Sequence, residues 1–498
     1  MHPAYQVVRS LARKYSIEES LPHIWEFWRS ITFNKELPFR YKHVDRYGNR
    51  LLVKDRLHEF QLYLLLREIL LNGSQRNDAT RSISDWDGLS DLWNTINQFG
   101  EAMDERGLDK ILMTMHRLGH QQISIQERLD RDFIGRYWAL YSHPQIKKVF
   151  EEHTSLTLTN YFTLAIEICT NAYQKPCFNA WFDLEHLGIS KDHSRAFFLR
   201  LSSPLSALRT RLIKNQSFTE NWSATFNDYS ATPLISINPK YPEMVYCPIP
   251  SALMRRLFQG LFYDVSNAIG FATAFGEAFE DHVGKILERC CPTIEKIKPK
   301  PYTIGKKLKH GADWILVDDT ANIFIECKTM RIRVSAKSAT NEEELAADLE
   351  GLAKAIVQNY ANIIDAKEGR TDWTPNNLPS YSMIVTLEDW LLFSPASTEP
   401  LHDQVMSILD TKGISSDIVS EIPYEILSAA ELQIASATFN SSTIQAIMSE
   451  KTSQKYGQWK VSSFLGNRYA EASARGKKVF QKEFEELGLA ITMGSDSA

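Results

Sequence analysis

Residues 310–330 read HGADWILVDDTANIFIECKTM. Two apolar runs within them, WILV and IFI, constrain the fold more than any other stretch. Each is too short for a helix, and the DDTAN between them is turn-like, so the pair predicts a β-hairpin turning around Asp319 and Thr320. Both runs carry charge at one end. Asp313 precedes the first, and Glu326-Cys327-Lys328 closes the second. Strand side chains alternate at period two, which puts Glu326 and Lys328 on one face and Ile325 and Cys327 on the other. A hairpin with that turn folds Asp313 back beside Glu326. Two carboxylates and an amine then meet at one end of a sheet, where adjacent carboxylates repel unless a cation lies between them.

The surrounding sequence supplies the layers for such a sheet. FATAFGEAFEDHVGKILERC (271–290) and NEEELAADLEGLAKAIVQNYANIIDAKEG (341–369) read as helices, and SYSMIVTLEDW (380–390) as a strand. HDQVMSILDTKG (402–413) reads as a helix, and IPYEILSAAELQIA (422–435) as a strand leading into a turn or helix. The pattern predicts a mixed α/β (α+β) fold. A chain of 498 residues exceeds one ordinary core. We expect a mainly helical accessory or regulatory domain over 1–230, the α/β domain over 231–440 with connector strands in 231–250, and a helical extension over 441–498 ending in a disordered MGSDSA. Within the first part, 58–71, 108–120 and 159–173 carry helical apolar stripes, and 41–55 reads as a hairpin turning at Gly48-Asn49.

Composition narrows the function. The net charge is −5, so any nucleic-acid binding must come from a local patch. The N-terminal segment lacks an apolar signal region and no run approaches the length of a membrane span, so a cytoplasmic protein without membrane contact is expected. The six cysteines form no CxxC pair and read as reduced thiols. His116 and His120 sit four apart, but HRLGH lacks the glutamate of a zinc protease helix, so they read as a surface or core pair. One patch is strongly basic. Lys296, Lys298, Lys300, Lys306, Lys307 and Lys309 precede the first strand, with no acid between Glu295 and Asp313; Arg331, Arg333 and Lys337 follow the second. Cations at that density can neutralise phosphates without reading sequence.

GAD-x12-ECK, preceded by a helix bearing FGEAFE, resembles the PD-(D/E)xK nuclease superfamily and its restriction-endonuclease-like fold. The resemblance covers residues 245–435 and assigns nothing to the first half. It implies that Glu280 is the helix acid, Asp313 the strand-end aspartate, and Glu326 with Lys328 the (D/E)xK pair. Gln358 falls where many relatives place a polar site residue. Ala312 stands where the family motif has proline. Asp313, Glu326, Glu280 and the Cys327 backbone carbonyl would hold Mg²⁺, for which Mn²⁺ can substitute. Lys298, Lys300, Lys306, Lys307, Lys309, Arg331 and Arg333 would contact nucleic acid, DNA rather than RNA. The implied activity is that of a metal-dependent endonuclease, in the setting of anti-phage defence or restriction. The helical half would then serve regulation, target sensing, or contact with a second copy or a partner protein. The alternative is an inactive nucleic-acid-binding or scaffolding protein on the same fold.

Two further points test the motif. Asp365-Ala366-Lys367 and Asp410-Thr411-Lys412 match the tripeptide but lie on a helix and before a turn at Gly413. Glu277 and Glu280 share a face beside the stripe Phe271, Phe275, Phe279, Val283 and Ile286, and Glu280 lies directly against it.

Overall fold

The computed structural model describes residues 2–35, 37, 57–76, 78–84, 86–103, 116–117, 119–120, 129–219, 222–223, 225–337, 342–392, 395–476 and 478–496. The expected hairpin at 41–55 and most of the expected helix at 108–120 lie outside them. The fold is mixed α/β, as the sequence predicts.

The chain begins with α1 (Tyr5–Ala12), α2 (Ile17–Phe33), α3 (Glu59–Asn72) and α4 (Trp86–Met103). Ser16 starts α2 by accepting the Glu19 N–H at 3.3 Å, and Glu18 and Glu19 lie at its positive end. Next come α5 (Arg131–Tyr141), α6 (Pro144–Thr154), α7 (Leu158–Gln174), β1 (Cys177–Asn179), α8 (Lys191–Leu201), β2 (Ser202–Pro204) and α9 (Leu205–Asn215). β3 (Leu234–Ser236) and β4 (Met244–Tyr246) fall where connector strands are expected, and complete a small sheet of order β1-β4-β3-β2.

The second half opens with α10 (Phe271–Cys290), followed by β5 (Glu295–Ile297), β6 (Tyr302–Ile304), β7 (Lys307–Lys309), β8 (Trp314–Val317) and β9 (Asn322–Lys328). Then follow α11 (Glu342–Lys367), β10 (Ser380–Thr386), α12 (Pro395–Thr411), β11 (Tyr424–Ser428), α13 (Ala429–Phe439) and a last helix, α14 (Gln481–Asp496). The main sheet has the order β11-β10-β9-β8-β5. β9, β10 and β11 run parallel, while β8 and β5 are antiparallel to their neighbours. Each parallel step needs a crossover, which α11 and α12 provide.

Both faces of this sheet are covered. Leu316, Ile323, Ile325, Met383, Val385 and Leu427 pack with α10 and α13. Ile315, Phe324 and Ile384 pack with Leu352, Ile356 and Tyr360 of α11 and with Leu401 and Val405 of α12. Each such side chain removed from water contributes roughly 1.5–3 kcal/mol.

Among the described residues the packing does not divide at residue 230. Phe133, Phe150, Phe162 and Phe198 of α5 to α8 share one core with Phe275, Phe279 and Ile325, because α10 buries their apolar stripes. α1 to α4 and α9 form a separate cluster around Trp28, Leu66 and Trp222. At the other end of the chain stands α14. The Phe480 N–H, at the entry to that helix, donates to Asp132 at 2.6 Å on α5. Among the described residues no helix is long and apolar enough to cross a membrane.

Candidate active site

The β8–β9 hairpin is set by its turn. Asp318 Oδ1 accepts from the Thr320 N–H at 2.8 Å, the Thr320 hydroxyl at 2.7 Å and the Ala321 N–H at 2.9 Å, an Asx turn. The turn fixes Val317 opposite Asn322 and Trp314 opposite Ile325. One step further, the Asp313 N–H donates to the Ile325 carbonyl at 2.9 Å, and Asp313 Oδ2 accepts the Cys327 N–H at 2.6 Å. Asp313 therefore stands beside Glu326, as the hairpin predicts.

Glu326 follows Phe324 on the face that α11 covers, and only 3% of it is exposed. Its Oε1 accepts from Lys328 Nζ at 2.6 Å and from Gln358 Nε2 at 2.8 Å, and its Oε2 from Asn362 Nδ2 at 3.3 Å. Lys328 Nζ also donates to Gln358 Oε1 at 3.3 Å. Glu326 is thus a buried group and not an exposed strand end. Asn362 is a site residue the sequence reading missed. The signal was present, because it lies four residues after Gln358 and hence on the same helix face.

Glu280 is the helix acid that reaches this end of the sheet; Glu277 is exposed. The Trp314 indole donates to the Glu280 carbonyl at 3.1 Å. Gly284, one turn later, lets α10 approach that ring, since a Cβ there would lie 2.5 Å from it. Lys298 sits over the same ring at 5.4 Å and pairs with Glu280 at 3.7 Å and Asp281 at 3.4 Å.

The three acids raise one another. Burial, then the charge of Glu326, pushes the Asp313 carboxyl up to about 6, against the Cys327 N–H and the ammonium groups of Lys328 and Lys298. Burial raises Glu326, with Lys328 opposing and the Glu280 charge adding to it. Burial and then Asp313 raise Glu280, opposed by Lys298. Acids in that condition favour a proton or a cation as partner. Among the described residues no three His, Cys, Asp or Glu side chains are grouped closely enough to hold a metal ion between them. The Cys327 thiol is half-buried against the apolar core, and desolvation, then the charges of Asp313 and Glu326, push it well up, so it stays protonated.

The basic residues separate into two sets. Lys300, Lys306 and Lys307 are exposed and make no ion pair with described residues. The others are engaged. Lys296 donates to the Cys291 and Ile294 carbonyls at 3.0 and 2.7 Å. Lys309 pairs with Asp365 at 2.8 Å, and Arg333 with Asp348 at 2.7 Å. Lys337 pairs with Glu388 at 3.1 Å. Arg331 leaves the phosphate-contact set altogether. Its side chain is 7% exposed, pairs with Glu388 and lies against the Phe262 and Tyr263 rings at 4.8 and 4.7 Å. His116 and His120 form a buried pair with ring centres 4.6 Å apart, both kept neutral by burial.

No family model, no curated protein and no solved structure matches the chain.

Proposed function

We propose that the protein is a Mg²⁺-dependent nuclease of the PD-(D/E)xK type that hydrolyses phosphodiester bonds, with DNA as substrate. One observation carries the reading. A single end of the sheet collects Asp313, Glu326 and Lys328 in the strand order of the motif, with Gln358 bonded to Glu326 and Lys328, and Glu280 near enough to raise Glu326 and to be raised by Asp313.

The donor set fits the ion. It is all hard oxygen, and Mg²⁺ uses one or two carboxylates and keeps its waters, so Asp313 and Glu326 with the Cys327 carbonyl suffice in kind. Glu280, drawn off by Lys298, would add to the set when Lys298 turns to a phosphate. When bound, Mg²⁺ lowers the pKa of a coordinated water and offsets charge on the phosphate. The chain's own groups hold and orient. Gln358 and Asn362 fix the Glu326 carboxylate, and Lys328, with a quarter of its side chain exposed, presents its ammonium to the attacking water or the phosphate oxygen. Water adds to phosphorus and gives up a proton to solvent, the bond to the leaving oxygen breaks, and that oxygen takes up a proton from solvent.

A second reading has one observation in its favour. Lys328 Nζ bonds Glu326 directly at 2.6 Å, where its charge does part of the work of a cation. An inactive nucleic-acid-binding protein would look the same. Plasmid, linear and single-stranded DNA and RNA, incubated with the full chain in Mg²⁺ or in EDTA, separate the two. Cleavage in Mg²⁺ alone supports the nuclease; binding without cleavage in any metal gives the second reading.

A further inference from the structure

The basic segment before Asp313 folds into a two-stranded ribbon. β6 pairs with β7 in the register Tyr302 to Lys309, Thr303 to Leu308 and Ile304 to Lys307. Gly305, at a φ of 61°, takes the first position of the two-residue turn, where a type II′ hairpin needs a positive φ. Among the described residues β6 and β7 pair only with each other, so the ribbon is separate from the main sheet.

Both ends of the ribbon start at the acids. The chain leaves from Lys298, which pairs with Glu280, and returns four residues before Asp313. At its base it is fastened to α11. Asp365 is buried and accepts from the Tyr302 hydroxyl at 2.6 Å, from Lys309 Nζ at 2.8 Å and from Arg370 at 2.6 Å. Asp365 lies seven residues after Gln358 and three after Asn362, so one face of α11 holds both the Glu326 carboxylate and the ribbon. The ribbon's position relative to the acids is thereby fixed.

Its outer part is bare. Leu308 is 65% exposed and pairs across the ribbon with the exposed Thr303, facing away from the anchored side. Lys306 and Lys307 stand at the tip, and Lys300 on the approach to it. From Lys298 to Gly305 the chain can extend on the order of 20 Å, at about 3.3 Å per residue.

We propose that this ribbon enters the major groove of B-form duplex DNA, with Lys300, Lys306 and Lys307 on flanking phosphates and Leu308 toward the base edges. The inference rests on the nuclease reading and names its substrate. A B-form major groove, about 12 Å wide, admits a two-stranded ribbon, whereas the major groove of an RNA helix is too narrow. Single strands have no groove to fill.

The test is anisotropy of the full chain in EDTA, with short fluorescent probes of duplex DNA, duplex RNA and single-stranded DNA. Wild type should bind duplex DNA most tightly. Lys306→Gln with Lys307→Gln should weaken that binding about tenfold and flatten the dependence of log affinity on log salt by about 1.8, at 0.9 per contact. Leu308→Ser should weaken duplex DNA binding and leave the salt slope alone. The variants lie at an exposed tip, so folding is not at stake. Unchanged duplex binding in the double variant, equal loss on all three probes, or no duplex binding by wild type would each overturn the ribbon's role. Mg²⁺-dependent cleavage by wild type alongside any of those results would leave the nuclease standing. Ribbon-dependent binding with no cleavage in any metal would instead remove the nuclease and keep the ribbon.

Discussion

Glu326-Cys327-Lys328 and Asp365-Ala366-Lys367 have the same tripeptide pattern and lie in the same half of the molecule, yet their carboxylates are in opposite states. On β9, period two brings Lys328 Nζ to 2.6 Å from Glu326, and the neighbouring Asp313 and Glu280 supply a surplus of negative charge. On α11, residues two apart point about 200° away from each other, so Lys367 is exposed while Asp365 is buried. Asp365 takes its cations from elsewhere, Lys309 and Arg370, together with the Tyr302 hydroxyl, and these bonds hold its carboxyl below the usual range. One acid is fully satisfied within the chain and serves as an anchor. The other group has more carboxylate than the chain neutralises, which is the condition of a site awaiting a partner.

The largest effect that follows separates the two in activity. Glu326→Gln and Asp313→Asn keep shape and remove charge, and either should lower Mg²⁺-dependent cleavage by about 10³-fold or more. Asp365→Asn should leave kcat within a few-fold while raising KM, because it loosens the ribbon and not the acids. Steady-state cleavage of a short duplex measures both. Full activity in Glu326→Gln would break the assignment, and a kcat loss in Asp365→Asn as deep as that of Asp313→Asn would erase the contrast.

The contrast also explains what the sequence made legible. The hairpin could be read because its determinants are local: two apolar runs, an Asp able to form the turn, and alternation at period two. Glu280 could be preferred to Glu277 because the phenylalanine stripe of α10 fixes its face. The ribbon was not legible. Its strands are three residues each, too short for a periodic signal, and its anchor Asp365 lies 63 residues beyond Tyr302. Arg331 looked like a surface cation because the partner that buries it, Glu388, comes from the loop after β10. The shared core of α5 to α8 with α10 is likewise a matter of long-range packing, on which helical stripes are silent.

Stability against pH gives a smaller effect of opposite sign at the two acids. The Asp313 carboxyl is raised to about 6, so its ionised form destabilises the fold at pH 7, and that cost fades as pH falls from above 6 toward the unfolded value near 4. Asp313→Asn should therefore raise the melting temperature at pH 7, by an amount equivalent to about 1–3 kcal/mol, and the gain should shrink by pH 5. The Asp365 carboxyl is lowered, so its ionised form stabilises the fold above pH 4, and that stability is lost only as pH falls through the folded value. Asp365→Asn should lower the melting temperature at pH 7, with the deficit closing only in acid. Thermal melts of both variants at pH 7, 5 and 3.5 check the signs, and a destabilised Asp313→Asn at pH 7 would mean that its charge is already satisfied.

The smallest expected effect is at Lys367, and Lys328 is the residue to set against it. Lys328 and Lys367 each stand two residues after an acid, and a reading by tripeptide alone would treat them alike. Lys328 shares its acid's face and bonds Gln358 as well, so Lys328→Met should abolish turnover while sparing metal binding, since an ammonium is not a Mg²⁺ ligand. Lys367 ends α11 in solvent and makes no ion pair with the described residues. Lys367→Gln should therefore leave cleavage rate, KM and melting temperature within about a factor of two or a degree of wild type, as surface substitutions do. Measuring both variants side by side turns the geometric argument into a single ratio. A ratio near one would mean that the strand's periodicity does not set the chemistry; a large one ties activity to the face on which the amine stands.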